Sequence, residues 1–492
     1  MNNLLVRLLP STSAVPVWGR TGIRALEAHL QATSPTPLMD LAGLTIARLA
    51  LAVAPHARRT VVMAGPGNNG GDGLEAALHL HCWGKAVQVH LLCDPQQWPA
   101  DARRAFERAS QAGVPLQAGL PTSATLLDAK DLCIDALLGI GATRAPDGKL
   151  RQAIDWMNAS GAQVLAADIP TGLDADSGQP LGEPNAVVKA DHTLTLLGSK
   201  PGLFMGHGRD VCGTLWLSTL GLTQQATDGQ PPDAELNPPA AHATRAHASH
   251  KGSHGDVAVV GGETGMTGAA LLAASAALHG GAGRVMLTLL GPQPAAVASD
   301  LMLRTLPNLD LPRLTVVAGC GGGRAVAEPL GHLLQYSARL VLDADALNRL
   351  AEDSWLQDLL MQRCARQQAT VLTPHPLEAA RLLDCNTAQV QADRLGAATQ
   401  LAQRFACCVV LKGSGTVIVA PGHIPRINAT GNGLLATGGT GDVLAGLTAA
   451  RLAVSGNAWQ AACDAAWTHG QVADEWPPEM ALTASQLAAR LR

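Results

Sequence analysis

Lysine and aromatic residues are what this 492-residue chain has least of. Of its 35 lysines and arginines only seven are lysine, and the aromatics are three Phe, one Tyr and nine Trp. Charged residues make up 15% and the formal net charge is −4. There is no basic excess to draw the chain to nucleic acid or to an acidic membrane surface. With so few large rings, the cores must be built from Ala, Leu and Val. The ten cysteines show no CxxC spacing, so neither a zinc site nor a disulfide framework is indicated. Cys133 and Cys407 lie in apolar runs where a buried thiol is the default, and a reducing cytoplasm fits. No apolar run reaches the roughly 18 residues needed to span a bilayer. The apolar N-terminal patch is interrupted by Arg7 with no h-region behind it. A soluble, cytoplasmic protein is expected.

What is present is apolar residues, at 47%, and 52 glycines. A chain of this length is expected to form two or three domains. Its composition suits parallel sheets covered by Ala-rich helices. Residues 1–20 carry no clear pattern. Arg24 to about Val53 reads as helix. Thr60–Ala64 reads as a strand, followed by GPGNNGGDG (Gly65–Gly73) and a helix to about Cys82, the opening of a nucleotide-type α/β unit. Alternation continues through strands near Ala86–Leu92, Leu132–Leu138, Gln163–Ala167, His192–Leu197 and Thr214–Leu217. This predicts one doubly wound domain ending near Gly221. Residues 222–250 hold four prolines and no apolar period, the composition of a linker. Histidines 242, 247, 250 and 254 have no acid or Cys beside them, so a metal site there is disfavoured. A second α/β series begins at Asp256–Gly261 and ends in helices from about Gly441. Within it Thr416–Ala420 and Ile424–Ile427 read as a hairpin.

Three strand ends in the first half carry chemistry. GPGNNGGDG places two Asn and an Asp inside a glycine turn, hard oxygen donors for a cation, a ribose or a phosphate. Asp135 ends the strand before Gly139 and Gly141. Asp168 ends another before Pro170, Thr171 and Gly172. Carboxyl ends of adjacent parallel strands form a ligand crevice. Alone, Asp168 is equally an Asx turn or a helix cap.

The second half is organised around ATGGTGDVLAG (Ala436–Gly446). A glycine turn opening a helix gathers backbone N–H groups at one point, and the helix dipole adds to its pull on an anion. Asp442 inside that turn is placed to take a proton from a hydroxyl that attacks phosphorus, or is only an early-turn charge. Lys412 is the sole lysine after Lys251 and opens KGSGT at a strand end, a setting that suits phosphate. DADALN (Asp343–Asn348) and TPHPLE (Thr373–Glu378) also follow strands. His375, between two prolines, is either functional or a structural turn histidine.

GPGNNGGDG, DALLGIG and DIPTGLD resemble the N-terminal domain of the bifunctional NAD(P)H-hydrate repair enzymes. HKGSHG, DADALN, TPHPLE, LKGSGT and NATGNG with TGGTGDVLAG resemble their C-terminal dehydratase domain. The match covers nearly the whole chain from about residue 20. It implies an α/β protein of two three-layer αβα domains, Rossmann-like over 20–221 and ribokinase-like over 251–492, joined by a linker at 222–250. It implies that the first domain interconverts the R and S epimers of hydrated NADH or NADPH. The second would dehydrate the S epimer with ADP, giving NAD(P)H, AMP and phosphate. Carried over by motif, Asn68, Asn69, Gly70, Gly71 and Asp72 would line the hydrate site. Gly139, Ile140, Gly141, Ala142, Thr143, Arg144 and Ala145 would complete it, with Asp168 as acid–base. Asn69, Asp135 and Thr171 would hold potassium. In the second domain Ala269, Gly321, Gly323, His375 and Asp442 would meet the hydrate, with Asp442 catalytic. Lys412, Gly413, Ser414, Gly415, Thr416 and Gly441 would hold the ADP, and Mg2+ would accompany its phosphates. A homo-oligomer is expected on the same footing.

The chain departs from the family pattern at AGCGGGR, where Cys320 takes a proline's place, and at Thr171, which stands where Ser is common and keeps the hydroxyl. The rival reading is a ribokinase-like small-molecule kinase with a non-catalytic N-terminal binding module. It leaves the first domain's acids without a purpose.

Overall fold

A computed structural model describes residues 5–121, 127–223, 227, 229–241, 245–293 and 297–491. The chain divides into two compact units, formed chiefly by Val15–Ala234 and by Glu235–Arg492.

The first unit is built on an eight-stranded sheet. Its order is Val6–Arg7, Thr214–Ser218, His192–Leu196, Gln163–Ala167, Leu132–Ala136, Thr60–Ala64, Val87–Leu91 and Leu116–Ala118. All neighbours are parallel except the first pair. Both faces of the sheet are buried, as β-rich apolar runs in a parallel sheet require. Val62, Ala64, Ile134 and Leu165 join one core with the helices Arg20–Thr33, Leu38–Val53, Asn68–Cys82 and Ala100–Gln111. Val61, Met63, Cys133 and Val164 join another with the helix Gly148–Ala159. That alternation makes three layers. The strand order reverses between Thr60–Ala64 and Leu132–Ala136, so the crevice of this unit lies beyond Ala64 and Ala136.

The second unit has the order Met302–Leu303, Arg284–Leu289, Asp256–Gly261, Thr315–Ala318, Arg339–Leu342, Thr370–Leu372, Cys408–Leu411, Thr416–Val419, Arg426–Asn428 and Ala234–Leu236. The run from Met302 to Leu411 is parallel, and the hairpin Thr416–Val419/Arg426–Asn428 adds antiparallel strands. Its reversal lies between Asp256–Gly261 and Thr315–Ala318. Val257, Val259, Val317 and Val341 pack with the helices Thr267–His279, Thr440–Ser455 and Ala458–Asp474. Ala258, Val260, Val316 and Leu340 on the opposite face are fully buried too.

Three expectations are corrected. The helix read over Arg24–Val53 is two, Arg20–Thr33 and Leu38–Val53, because Pro35 and Pro37 cannot continue the first. The patternless N-terminal segment contributes an edge strand, in which Val6 pairs with Leu217 and Arg7 with Trp216. The segment 222–250, read as a linker, holds the strand Ala234–Leu236, whose Glu235 and Leu236 pair with Arg426 and Ile427. Its His250 accepts from the N–H of Gly252 at 3.1 Å, and His254 lies 3.1 Å from the Ser249 hydroxyl. These are turn contacts, and His242 falls outside the described residues. No single helix among the described residues is long and apolar enough to cross a membrane.

Candidate active sites

At the first switch point the expected residues sort into three depths. Asn68, Asn69, Asp72, the loop 139–145 and Asp168 line one cavity of about 1090 Å³. Gly70 and Gly71 do not line it. A Cβ on Gly70 would stand 2.2 Å from the Gly65 carbonyl oxygen, and one on Gly71 2.6 Å from the Met39 sulfur. These two glycines let the helix Asn68–Cys82 start hard against its neighbours. Asp135 and Thr171 lie deepest, both fully buried. The Thr171 N–H donates to Asp135 Oδ2 at 2.8 Å and its hydroxyl to Oδ1 at 2.7 Å. Burial lifts the Asp135 carboxyl to about 6 against the pull of these bonds and of Leu137 N–H.

Asn69 is 7% exposed, and among the described residues neither its amide oxygen nor its amide nitrogen has a hydrogen-bond partner. A buried amide left unpaired is costly, so this amide is free to take a ligand. Its Oδ1 and the Asp168 Oδ2 each lie 3.4 Å from where a Cβ on Gly139 would stand. The loop 139–145 is held by Arg20, whose guanidinium donates to the carbonyls of Ile140 at 2.9 Å and Ala142 at 3.3 Å and pairs with Asp174 at 2.8 Å.

Asp168 has φ +67°, a conformation that L residues adopt at a cost and that clusters at functional sites. Its Oδ2 accepts from Ile140 N–H at 3.2 Å, and its Oδ1 from Leu196 N–H at 3.3 Å and from the Lys200 ammonium at 2.5 Å. Lys200 is wholly buried, and sequence reasoning missed it. Two more carboxylates stand near. Burial first, then Asp168, push Glu27 upward, and burial, Asp168 and Glu27 push Asp72 far above the carboxylate range.

The second switch point gathers acids around a lysine. Cys320, Asp343 and Asp442 present ligand atoms within 4.8 Å of one another. The Lys412 ammonium lies 2.5 Å from Asp343 Oδ1 and 4.0 Å from Glu378 Oε2. Burial works against this charge, but Asp343 and Glu378 outweigh it and hold Lys412 above the usual lysine value. The ammonium that the sequence reading gave to a phosphate is therefore ion-paired inside the site. The loop behind it is anchored by Arg394, which is 1% exposed and donates to the carbonyls of Leu411, Lys412 and Gly415. Gly413 in that loop takes φ +142°. The Thr416 hydroxyl donates to the Gly413 carbonyl at 3.1 Å.

Asp442 sits in the first turn of Thr440–Ser455, behind Gly439 at φ +92°. Burial, then repulsion from Asp343, raises its carboxyl to about 6, against a hydrogen bond from Cys320. Cys320 itself is fully buried and held far above the thiol range by burial and by both acids, so it stays a thiol. Gly441 is close by, a Cβ there standing 3.4 Å from the Lys412 Nζ. Gly446 plays another part. A Cβ there would lie 2.0 Å from the Ala273 carbonyl oxygen, so it lets two helices touch.

Ala269 and the glycines of 319–323 come together as expected. Gly319, Gly321 and Gly323 have φ of +113°, +57° and +52°. A Cβ on Gly321 would stand 2.9 Å from that of Ala269, and one on Gly323 would collide with the Glu263 carboxylate. His375 is a helix N-cap. Its Nδ1 accepts from the N–H groups of Leu377 and Glu378 at 3.1 and 3.2 Å, which leaves Nε2 as the protonated nitrogen. Glu378 returns the bond, accepting from the His375 N–H at 2.7 Å. Burial raises this acid to about 7, with Lys412 opposing. Its burial could not be read from the motif alone.

Residues 35–202 match a family model described as YjeF-related protein N-terminus, and residues 257–491 one described as NAD(P)H-hydrate dehydratase. The chain is 36% identical over 459 residues to the bifunctional NAD(P)H-hydrate repair enzyme Nnr of Escherichia coli (strain K12), covering 89% of this chain and 84% of that protein. It is 33% identical to the enzyme of the same name from Coxiella burnetii, covering 96% and 97%. Among solved structures, an ADP/ATP-dependent NAD(P)H-hydrate dehydratase from Bacillus subtilis, co-crystallized with ATP/Mg2+, aligns with TM-score 0.42 and 27% identity over 50% of this chain and 91% of that one.

Proposed function

The chain belongs to the family of bifunctional NAD(P)H-hydrate repair enzymes, and from that premise we propose that its first unit epimerises hydrated NADH or NADPH while its second dehydrates the S epimer with ADP. One observation carries the reading. Each sheet ends at its own switch point in glycine turns that hold a differently prepared carboxylate. Asp168 is paired with a buried ammonium, whereas Asp442 is lifted to about 6 among other acids. The family match spans both halves, which sets aside a kinase with an inert N-terminal module.

The hydrate bears a hydroxyl on a saturated ring carbon next to nitrogen. Epimerisation needs a reversible break at that carbon and a group that returns the proton, the role of Asp168. Dehydration is harder because hydroxide leaves poorly. Asp442 takes the hydroxyl proton, the oxygen attacks the terminal phosphorus of ADP, and the bond to the AMP oxygen breaks. Phosphate then leaves the ring carbon as the neighbouring carbon gives up its proton, forming the double bond of NAD(P)H. A base near 6 suits this work at neutral pH. The backbone N–H groups of Gly438–Gly441 can take up phosphoryl charge.

Potassium fits the first site. Asn69 Oδ1 is an unpaired buried carbonyl oxygen, and Asp135 and Thr171 are oxygen donors, the ligand set of a hard cation. It would fix those oxygens and the turn that carries them. Magnesium fits the second site through Asp343, which leaves Asp442 as the base, but not through Cys320, whose sulfur suits softer metals. It would supply charge neutralisation on the nucleotide phosphates. A cytoplasmic homo-oligomer accords with this reading.

The test is to supply mixed hydrate epimers with ADP or ATP and follow recovery of dihydronicotinamide absorbance. Complete recovery is expected, with AMP and phosphate as products when ADP is used. A stable phosphorylated alcohol would mark a kinase, and recovery that stops at the S fraction would mark an inert first unit.

A further inference from the structure

Lys200 has no part in the roles set out above, yet it is the most unusual charge in the first unit. Its ammonium is wholly buried. It donates to Asp168 Oδ1 at 2.5 Å, to the Thr195 hydroxyl at 2.8 Å and to the Leu196 carbonyl at 3.0 Å, with the Gly198 carbonyl at 3.4 Å. Three short bonds use the three protons an ammonium has. The acceptors other than Asp168 lie within 195–198, which bends back with Leu197 at φ +66°. That turn also supplies the Leu196 N–H to the same Asp168 oxygen. Lys200 thus ties the end of one strand to the acid at the end of the next. Asp168 Oδ1 is occupied from below. Oδ2 is left on the side of the loop 139–145, which lines the cavity.

The surroundings make the pairing selective. Five carboxylates, Glu27, Asp72, Asp101, Asp147 and Asp168, line that cavity, each from a different part of the chain. Burial first, then repulsion from Asp168, lifts both Glu27 and Asp72. Only Asp168 touches the ammonium. We propose that Lys200 is the positioning residue of the epimerisation, its buried ammonium holding Asp168 as an oriented carboxylate with Oδ2 turned toward the reacting carbon. The proposal rests on the epimerase reading of this unit.

Lys200→Met in the full chain tests it, with epimer exchange and dehydration of pure S epimer measured on one preparation. Expected is a loss in kcat for exchange of about 10²-fold or more, KM within a few-fold, and an acid limb of the exchange pH profile moved to higher pH. Dehydration of pure S epimer stays at the parent rate. Exchange within a few-fold of the parent overturns the proposal. So does a loss confined to KM, or a loss with the acid limb unmoved, which marks a structural lysine. Should Lys200→Met fail to fold, Thr195→Val decides. It keeps the ammonium but removes one of the bonds that aim it, so kcat for exchange must fall with KM within a few-fold, and a parent-like kcat overturns the proposal. Absence of exchange in the parent overturns the epimerase reading itself, and the proposal with it.

Discussion

Asp442 bears its charge where the preceding turn gathers donors for an anion, and a phosphate arriving there must approach it. Asp442→Asn removes that repulsion and the base together. Turnover should fall by about 10² or more while ADP affinity holds or rises. Calorimetry and single-turnover dehydration on the same preparation separate the two effects, and turnover within a few-fold of the parent leaves Asp442 as a helix-start charge. In the parent, dehydration should rise with pH through about 6, as Asp442 loses its proton. Lys412 needs a different expectation from the one its motif invites. Its ammonium is 17% exposed and Asp343 only 2%, so truncation strands a buried carboxylate. Lys412→Ala should cost about 3 kcal/mol or more of stability as well as nucleotide binding. Urea unfolding checks this, and an unchanged midpoint would mean that the pair contributes nothing to the fold.

The helix Thr440–Ser455 presents Asp442, and its first turn is pinned from behind. His469, on Ala458–Asp474, donates through Nε2 to the Thr440 carbonyl at 2.9 Å. Burial lowers this histidine to about 4, so it stays neutral in the fold. Between pH 4 and 6.5 the unfolded chain therefore binds more protons at this residue than the folded one. The stability it contributes rises with pH across that window and is lost on acidification. Glu378 and Asp442, raised to about 7 and 6, work in the opposite sense. They persist in a His469→Gln variant, which can still donate to Thr440, and so cancel in the difference. The parent should lose on the order of 2–3 kcal/mol more than this variant between pH 7 and 4.5. Parallel stability curves for the two proteins would show that His469 is not the cause.

For the molecule as a whole, the place to divide the chain is before Ala234. Ala234 and Leu236 are fully buried, and the Asn237 amide donates to Asn428 Oδ1 at 2.9 Å and to the Cys463 carbonyl at 2.8 Å. A fragment beginning near residue 230 should fold, dehydrate the S epimer and stall when that epimer is consumed. A fragment beginning at Ala248 leaves the strand Arg426–Asn428 with one neighbour of its two and the Asn428 Oδ1 without the Asn237 donor. It should melt several degrees lower, as a loss of about 1–3 kcal/mol implies. Equal melting temperatures for the two fragments would make the strand an ornament of the sheet.

The sequence by itself determined the elements and the ends on which chemistry sits. Thr60–Ala64, Gln163–Ala167, Thr370–Leu372 and Cys408–Leu411 are legible because central parallel strands are apolar runs whatever lies beside them. Asp168 and Asp442 are legible because glycine turns and strand ends are local features. The short strands Val6–Arg7, Leu116–Ala118 and Ala234–Leu236 were not, since brief segments without an apolar run become strands only through a partner. Tertiary structure alone decided the sheet orders, and with them which strand ends share a crevice. It separated Gly139 and Gly141, which line the cavity, from Gly70, Gly71 and Gly446, which allow close packing. It brought Lys200 to Asp168 across 32 residues, and Lys412 to Asp343 across 69. A charge can be read in a sequence, but its burial and its partner depend on the packing of strands far apart in the chain, and those set whether a carboxylate is a base, an acid or a strut.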